Sequence, residues 1–437
     1  MTLLFSHFLS REELRSVNYY SYFPVLETKS GNDTVCRILP SDDAVSYVLE
    51  FEENSKRIIR GEINWFNEPL YKNLRPDNTI SEESLQYELL PPKNKACIVI
   101  NLIDFCYGHS FVKLLNILDF YKSFSESHDI VVLSFGYVKD FLPKDKFSIV
   151  HIQIGFGATQ KAPSFKPILN KIRSQYETVD FAVLDAYKRF DDRTEITGFF
   201  NFFGTLQNPY PGKKFLTFNY RKGIDRSWGG TRQGKNVLKW FEQLRPYFDS
   251  SVQCCVIGEK DHVTFPDWVL DKRISSFPNP LLHEYHHILQ NSVFTVGLIG
   301  SHMLSASVLS YMTIHLTPQA FMRVSATDIL NYKNYTSPSY FNHVYLNGDA
   351  AMDDYSPARL AYESMMLLLG KISLEYKENC LEELKRNKTV ELQSEYIKEK
   401  HRYFLVDKFN GLKKEMDKKH HSKIRLKSII SRLKKLK

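Results

Sequence analysis

From Ala96 onward the chain repeats one pattern: a short, nearly all-apolar run, then a longer stretch in which apolar residues return every three or four positions. ACIVINLIDF (96–105), DIVVLSF (129–135), FSIVHIQIGF (147–156) and VDFAVLDAY (179–187) read as buried strands. HSFVKLLNILDFYKSF (109–124) and FKPILNKIRSQY (165–176) read as helices with one apolar face. Strands and helices alternating at this spacing predict βαβ units and a parallel sheet. The cluster Asn208-Pro209-Tyr210-Pro211-Gly212 reads as a linker. The pattern then restarts with strands at KKFLTFNYR (213–221), VQCCVIGE (252–259), VFTVGLIG (293–300) and TIHLTP (313–318). Between them lie helices at GKNVLKWFEQLRPYF (234–248), PLLHEYHHILQNS (280–292) and HMLSASVLSYM (302–312).

Two doubly wound halves in succession predict an α/β protein of two Rossmann-like domains facing a cleft. Ligands are expected beyond the carboxyl ends of the strands. The pattern divides the chain into an N-terminal segment of unclear structure (1–90), ending before Pro91-Pro92, a first Rossmann-like domain (91–210), a second (211–372) and a helical tail (373–437). Val293 to Leu316 runs 24 residues without a charge, but its glycines, serines, threonines and histidines favour a core strand-loop-helix over a membrane span.

Charge sharpens this picture once it is located. The net charge is +8, yet Gly411 to Lys437 holds 11 of the 58 Lys and Arg against only Glu415 and Asp417, so the remainder is close to neutral. That argues against the broad basic face of a nucleic-acid-binding domain. Cys36, Cys97, Cys106, Cys254, Cys255 and Cys380 form no C-x-x-C pair and no metal-ligand spacing, and read as reduced thiols of a cytosolic protein. The opening MTLLFSHFLSREEL acquires acids too early for a signal peptide.

Candidate chemistry gathers at the predicted strand ends. FNYRKGIDRSWGGTRQGK (218–235) crowds Arg221, Lys222, Arg226, Arg232 and Lys235 around Gly223, Gly229, Gly230 and Gly234, just before a helix. Such a loop suits an anion, because glycine lets the backbone approach, a helix N-terminus favours negative charge and arginine offers paired donors. A solvated basic turn is the alternative. Gly258 and Glu259 follow the next strand, with His262 shortly after, and Gly300, Ser301 and His302 bridge a later strand and helix.

In this order and spacing, residues 96 to 370 resemble the GT-B glycosyltransferases, whose second domain binds a nucleotide sugar. The resemblance lies in architecture and loop placement, and no close family is identified. It implies that Arg221, Arg226, Arg232 and Lys235 contact the donor diphosphate. Gly258 and Glu259 would lie beside the base, and Gly300, Ser301 and His302 against the phosphates or sugar. The resemblance further implies a UDP, GDP or CMP sugar as the donor, with no further cofactor and no bound metal required.

An inverting transferase needs a base for an acceptor hydroxyl, and a retaining one must stabilise or trap the sugar cation. His109, where the first βα loop faces the cleft, is the leading base; Asp104, Asp185 and Asp225 are further carboxylates at strand ends or in the basic loop. A helix cap or solvated turn is the alternative for each. His283-Glu284-Tyr285-His286-His287 matches H-E-x-x-H, a zinc-site pattern, but on a helix expected to pack on the sheet. GFGATQ (155–160) resembles half of a phosphate loop and lacks its Lys-Ser/Thr pair.

In the tail, Leu426, Ile429, Ile430, Leu433 and Leu436 recur at helical spacing, flanked by Lys423, Arg425, Lys427, Arg432, Lys434 and Lys435. A basic amphipathic helix of this kind suits an anionic bilayer, each cation contributing about 1 kcal/mol. A coiled coil with the preceding helix (381–409) and a nucleic-acid tail are the alternatives. The expectation is a peripheral membrane enzyme of the cytosolic face, moving sugar to a glycan or lipid-linked acceptor of a bacterial surface polysaccharide, lipopolysaccharide or capsule. A nucleotide-sugar epimerase and a non-catalytic scaffold compete with it.

Overall fold

The computed structural model describes residues 3–39, 49–64, 67–75, 78–135, 138, 141–184, 209–222, 228–275, 282–318, 343–348 and 356–368. The basic tail, Asp185, and Asp225 and Arg226 of the glycine-rich loop lie outside them.

Three sheets make up the described chain. The first is an antiparallel meander, β1-β2-β3-β4-β5, formed by Val17–Tyr20, Phe23–Ser30, Asp33–Ile38, Glu50–Glu52 and Ile58–Arg60. It is preceded by a short helix, α1 (Arg11–Arg15), and followed by α2 (Glu68–Asn73). Ser10 caps α1 and exchanges hydrogen bonds with Glu13 in a capping box.

The second sheet has the order β10-β7-β8-β9-β6. Its strands are Leu85–Glu88 (β6), Ala96–Asn101 (β7), Asp129–Phe135 (β8), Ser148–Ile152 (β9) and Thr178–Phe181 (β10). All pairs are parallel except β6 with β9. β6 lies ahead of the Pro91-Pro92 pair and still belongs to this sheet. Helices α3 (Tyr107–Phe124), α4 (Phe156–Thr159) and α5 (Lys166–Arg173) connect the strands. In α5, Pro167 sits in the first turn, where a missing N–H costs nothing, and Ile168, Leu169 and Ile172 form the buried stripe.

The third sheet is parallel throughout, in the order β13-β12-β11-β14-β15-β16. It comprises Lys214–Tyr220 (β11), Val252–Gly258 (β12), Val269–Asp271 (β13), Ser292–Leu298 (β14), Thr313–Pro318 (β15) and His343–Gly348 (β16), with helices α6 (Gln233–Leu244), α7 (Leu282–Gln290) and α8 (Leu304–Leu309). The order in which strands are added reverses between β11 and β14, the doubly wound order with its switch point at the end of β11. In the second sheet the corresponding reversal falls at β7, flanked by β8 and β10.

Nearly every residue of β7, β8, β11 and β14 is buried, as a parallel sheet covered on both faces requires. The uncharged run from Val293 to Leu316 is accordingly β14, a helical turn, α8 and β15. Among the described residues no helix is long and apolar enough to cross a membrane. Trp228 and Trp240 flank Phe218 with ring centroids 6.0 and 6.1 Å away and fill the core of the third sheet.

One apolar cluster runs from the second sheet through α3 and on to Ile288 of α7, Met303 just before α8 and Ala306 within it. The two parallel sheets therefore share a core across their facing helices. His286 of α7 is buried between Phe111 and Phe141, at 4.7 and 4.1 Å between ring centroids.

Candidate functional site between the two parallel sheets

The first wall rises from the end of β7. The extended residue Cys106 leads into α3, which puts His109 in the first turn and Lys113 one turn later on the same face. His109 Nδ1 lies 3.0 Å from Asp104 Oδ1, and Lys113 Nζ lies 2.8 Å from Asp104 Oδ2 and donates to the Ile103 carbonyl at 3.0 Å. All three are buried, Asp104 at 3% and His109 at 6% exposure. Burial alone would raise the Asp104 pKa, but the Lys113 charge and the His109 contact overcome it and hold the carboxyl well below the usual range.

Asp104, Cys106 and His109 could each offer a ligand atom to a cation within 4.8 Å of one another. The Lys113 ammonium already supplies the positive charge there. The N-terminal meander completes this wall: Tyr22 packs on Phe105 at 5.4 Å, and Phe105 meets the His109 ring edge-on at 5.4 Å. Burial and the nearby Asp104 charge raise the Tyr22 hydroxyl pKa and keep it protonated.

The second wall is the switch point of the third sheet. Arg221 follows β11, and Gly300, Ser301 and His302 follow β14. Arg221 Nη1 lies 3.4 Å from His302 Nδ1, and Asn219 donates to the His302 carbonyl at 3.1 Å. Gln233 staples the basic loop at both ends, accepting from Trp228 N–H at 3.0 Å and donating to the Arg221 carbonyl at 2.8 Å.

Gly258 has φ +100°, and a β-carbon there would lie 2.1 Å from the Tyr220 carbonyl oxygen, so only glycine lets β12 end this close to β11. Glu259 turns back and accepts from the Lys222 N–H at 2.7 Å. Beneath it, Asp261 accepts from Tyr220 at 2.6 Å and pairs with buried Arg273 at 2.9 Å. Burial works against the Asp261 charge, but these partners keep its pKa lowered.

The two walls meet at the start of α3. A β-carbon on Gly108 would lie 1.7 Å from the Ser301 carbonyl oxygen. His109 and Asp104 are thereby brought beside Ser301 and His302, and through His302 to Arg221. Arg232 and Lys235 are exposed near the N-terminus of α6.

Some sequence expectations take another form. GFGATQ is the helical turn α4, held from the N-terminal side by Asn73 and Asn78 donating to the Gln160 and Lys161 carbonyls at 3.2 and 2.7 Å. Glu284 of the H-E-x-x-H run accepts from Tyr210 at 2.5 Å and pairs with Lys272 at 2.9 Å, tying the linker to α7. Lys113, Gln233 and Tyr22 are additions that the sequence did not single out. Lys113 carried a signal, its i+4 spacing from His109.

No family model matches the chain, and no curated protein matches it. Among solved structures it is similar to the E. coli heptosyltransferase WaaC with ADP, at 9% identity and a TM-score of 0.32, over 63% of this chain and 98% of that one.

Proposed function

We propose that this chain is a GT-B-type glycosyltransferase, moving sugar from a nucleotide-activated donor to a glycan or lipid-linked acceptor of a bacterial surface polysaccharide. The observation that carries the reading is the meeting of two doubly wound switch points, with the buried Asp104–His109 pair on one side and Arg221, Ser301 and His302 on the other. Switch points are where such sheets bind ligands.

In this reading Arg221 and the basic loop that includes Arg226, Arg232 and Lys235 take the donor diphosphate, with Gly300, Ser301 and His302 as its floor and Gly258 and Glu259 toward the nucleoside. His109 is the base. Its Nδ1 is held by Asp104, so the acceptor proton passes through Nε2, and the ionised Asp104 stabilises the imidazolium that forms. Because His109 is buried behind the Gly108–Ser301 contact, acceptor entry requires α3 and the Ser301 loop to part. Asp225 is a second carboxylate on the donor side. The basic tail would hold the enzyme on the cytosolic face of the membrane.

Thermal shifts of the full chain with UDP, GDP, CMP and ADP test the donor site, followed by product analysis with the matching sugar nucleotide and a lipid-linked acceptor. A stabilising nucleotide and acceptor-dependent release of that nucleotide are expected. Turnover of the donor without acceptor would indicate an epimerase-like enzyme, and no response to any nucleotide would leave a scaffold.

A further inference from the structure

A second basic site lies at the opposite end of the second sheet. Thr178 opens β10 and pairs with Ala96, the first residue of β7, so this edge is a full strand away from Asp104. A cavity of about 330 Å³ is found here, lined by Arg11, Arg15, Arg173, Tyr176, Glu177 and Thr178 over an apolar floor that includes Leu14. That volume is at the lower end of small-ligand pockets, roughly 300 to 1,000 Å³.

Its charge is unbalanced. Arg11 and Arg15 are four residues apart on α1 and share one face, an arrangement that like charges disfavour. Arg173 closes the group from the last turn of α5, where its Nη2 donates to the Leu14 and Val17 carbonyls and bolts α1 against the sheet. Burial pulls the Arg173 guanidinium below its ordinary pKa. The one carboxylate in the lining, Glu177, is already paired with Lys95 at 2.9 Å. Among the described residues no carboxylate forms an ion pair with Arg11, Arg15 or Arg173. Arg11 reaches instead to the Thr178 hydroxyl at 3.4 Å.

We propose that this cavity binds a small phosphate-bearing anion, of about the size of pyrophosphate, between the Arg11 and Arg15 guanidinium groups and the Thr178 hydroxyl. Guanidinium forks match phosphate oxygens two at a time, and an anion relieves the repulsion among three clustered cations. The cavity's volume of about 330 Å³ favours a free phosphorylated small molecule over a polymer. The site is independent of the glycosyltransferase reading.

Calorimetric titration of the full chain with inorganic pyrophosphate at low ionic strength tests it. The parent, Arg221→Ala, and Arg221→Ala carrying Arg11→Ala and Arg15→Ala are compared. Arg221→Ala weakens the cleft, so binding that persists in it and falls at least tenfold in the triple variant is expected. Absence of binding in Arg221→Ala, or equal binding in the triple variant, would overturn the proposal. Phenylglyoxal labelling of the unmutated protein, read by mass spectrometry, gives a second measurement. Pyrophosphate is expected to protect Arg11 and Arg15, and unchanged labelling of both counts against the site.

Discussion

Gly108 and Ser301 touch across the two parallel-sheet halves, so closely that a β-carbon on residue 108 would stand 1.7 Å from the Ser301 carbonyl oxygen. Residue 108 lies in the first turn of α3, and alanine in a helix is ordinarily favoured over glycine by up to about 1 kcal/mol. Gly108→Ala is expected to reverse that sign, because overpacking against backbone costs about 1–3 kcal/mol. Calorimetry checks it; a raised melting temperature would mean that α3 and the Ser301 loop yield without loss.

Asp104 neutralises the buried Lys113. Asp104→Asn leaves that ammonium without its counter-charge and is expected to cost about 3–5 kcal/mol in denaturant unfolding. The same pair predicts a pH dependence. The folded pKa of Asp104 lies below its ordinary value of 3.8, so its contribution is present above that value and is lost as pH falls beneath it. Acid unfolding of the parent is expected to steepen below about pH 4, and Asp104→Asn to show a shallower acid limb; parallel curves would contradict the assignment.

His109→Gln keeps a polar side chain beside Asp104 but removes the proposed base. Transfer to acceptor is expected to fall by about 10²–10⁴ with nucleotide affinity unchanged. Equal loss of donor affinity and turnover would point to a structural role instead.

Arg221→Ala, and separately Arg226→Ala with Arg232→Ala, are expected to weaken nucleotide binding by about 10- to 100-fold, the value of one charge-assisted hydrogen bond, while circular dichroism stays unchanged. Retained affinity in both would remove the phosphate role of this loop.

Deleting residues 411–437 is expected to release the chain from anionic vesicles in a flotation assay and to leave activity on a soluble acceptor intact. Continued flotation of the truncated chain would locate membrane binding elsewhere.

The strands that sequence revealed best are those a parallel sheet buries on both faces. DIVVLSF is β8 to the residue, and KFLTFNY is β11, because burial on both sides leaves an unbroken apolar run. β6 and β13 had no such run. LQYE is half exposed, VLD is three residues long, and both owe their existence to edge pairing with β9 and β12. The N-terminal meander was illegible for a related reason. Its outer strand, Ile58–Arg60, is exposed throughout, and its first turn uses Ser21 at φ +58° where glycine would have announced it.

At the site, His109, Asp104, Arg221 and the Gly300–His302 loop could be named from their places after strands. Their mutual contacts could not. Lys113 was hidden because a lysine on a helix ordinarily faces water, and Gln233 because a buried amide that ties two loop ends leaves no local pattern.

The turn between β1 and β2 gives the cleft a handedness. Asn101, the last residue of β7, donates to the Ser21 carbonyl at 2.8 Å, while the Ser21 N–H is held by Pro163 at 2.8 Å. A left-handed serine costs about 1–3 kcal/mol and persists where its surroundings insist on it. The meander is thus pinned as a jamb along one flank of the Asp104 loop, so that in the proposed reaction an acceptor bound for His109 would arrive from the opposite flank.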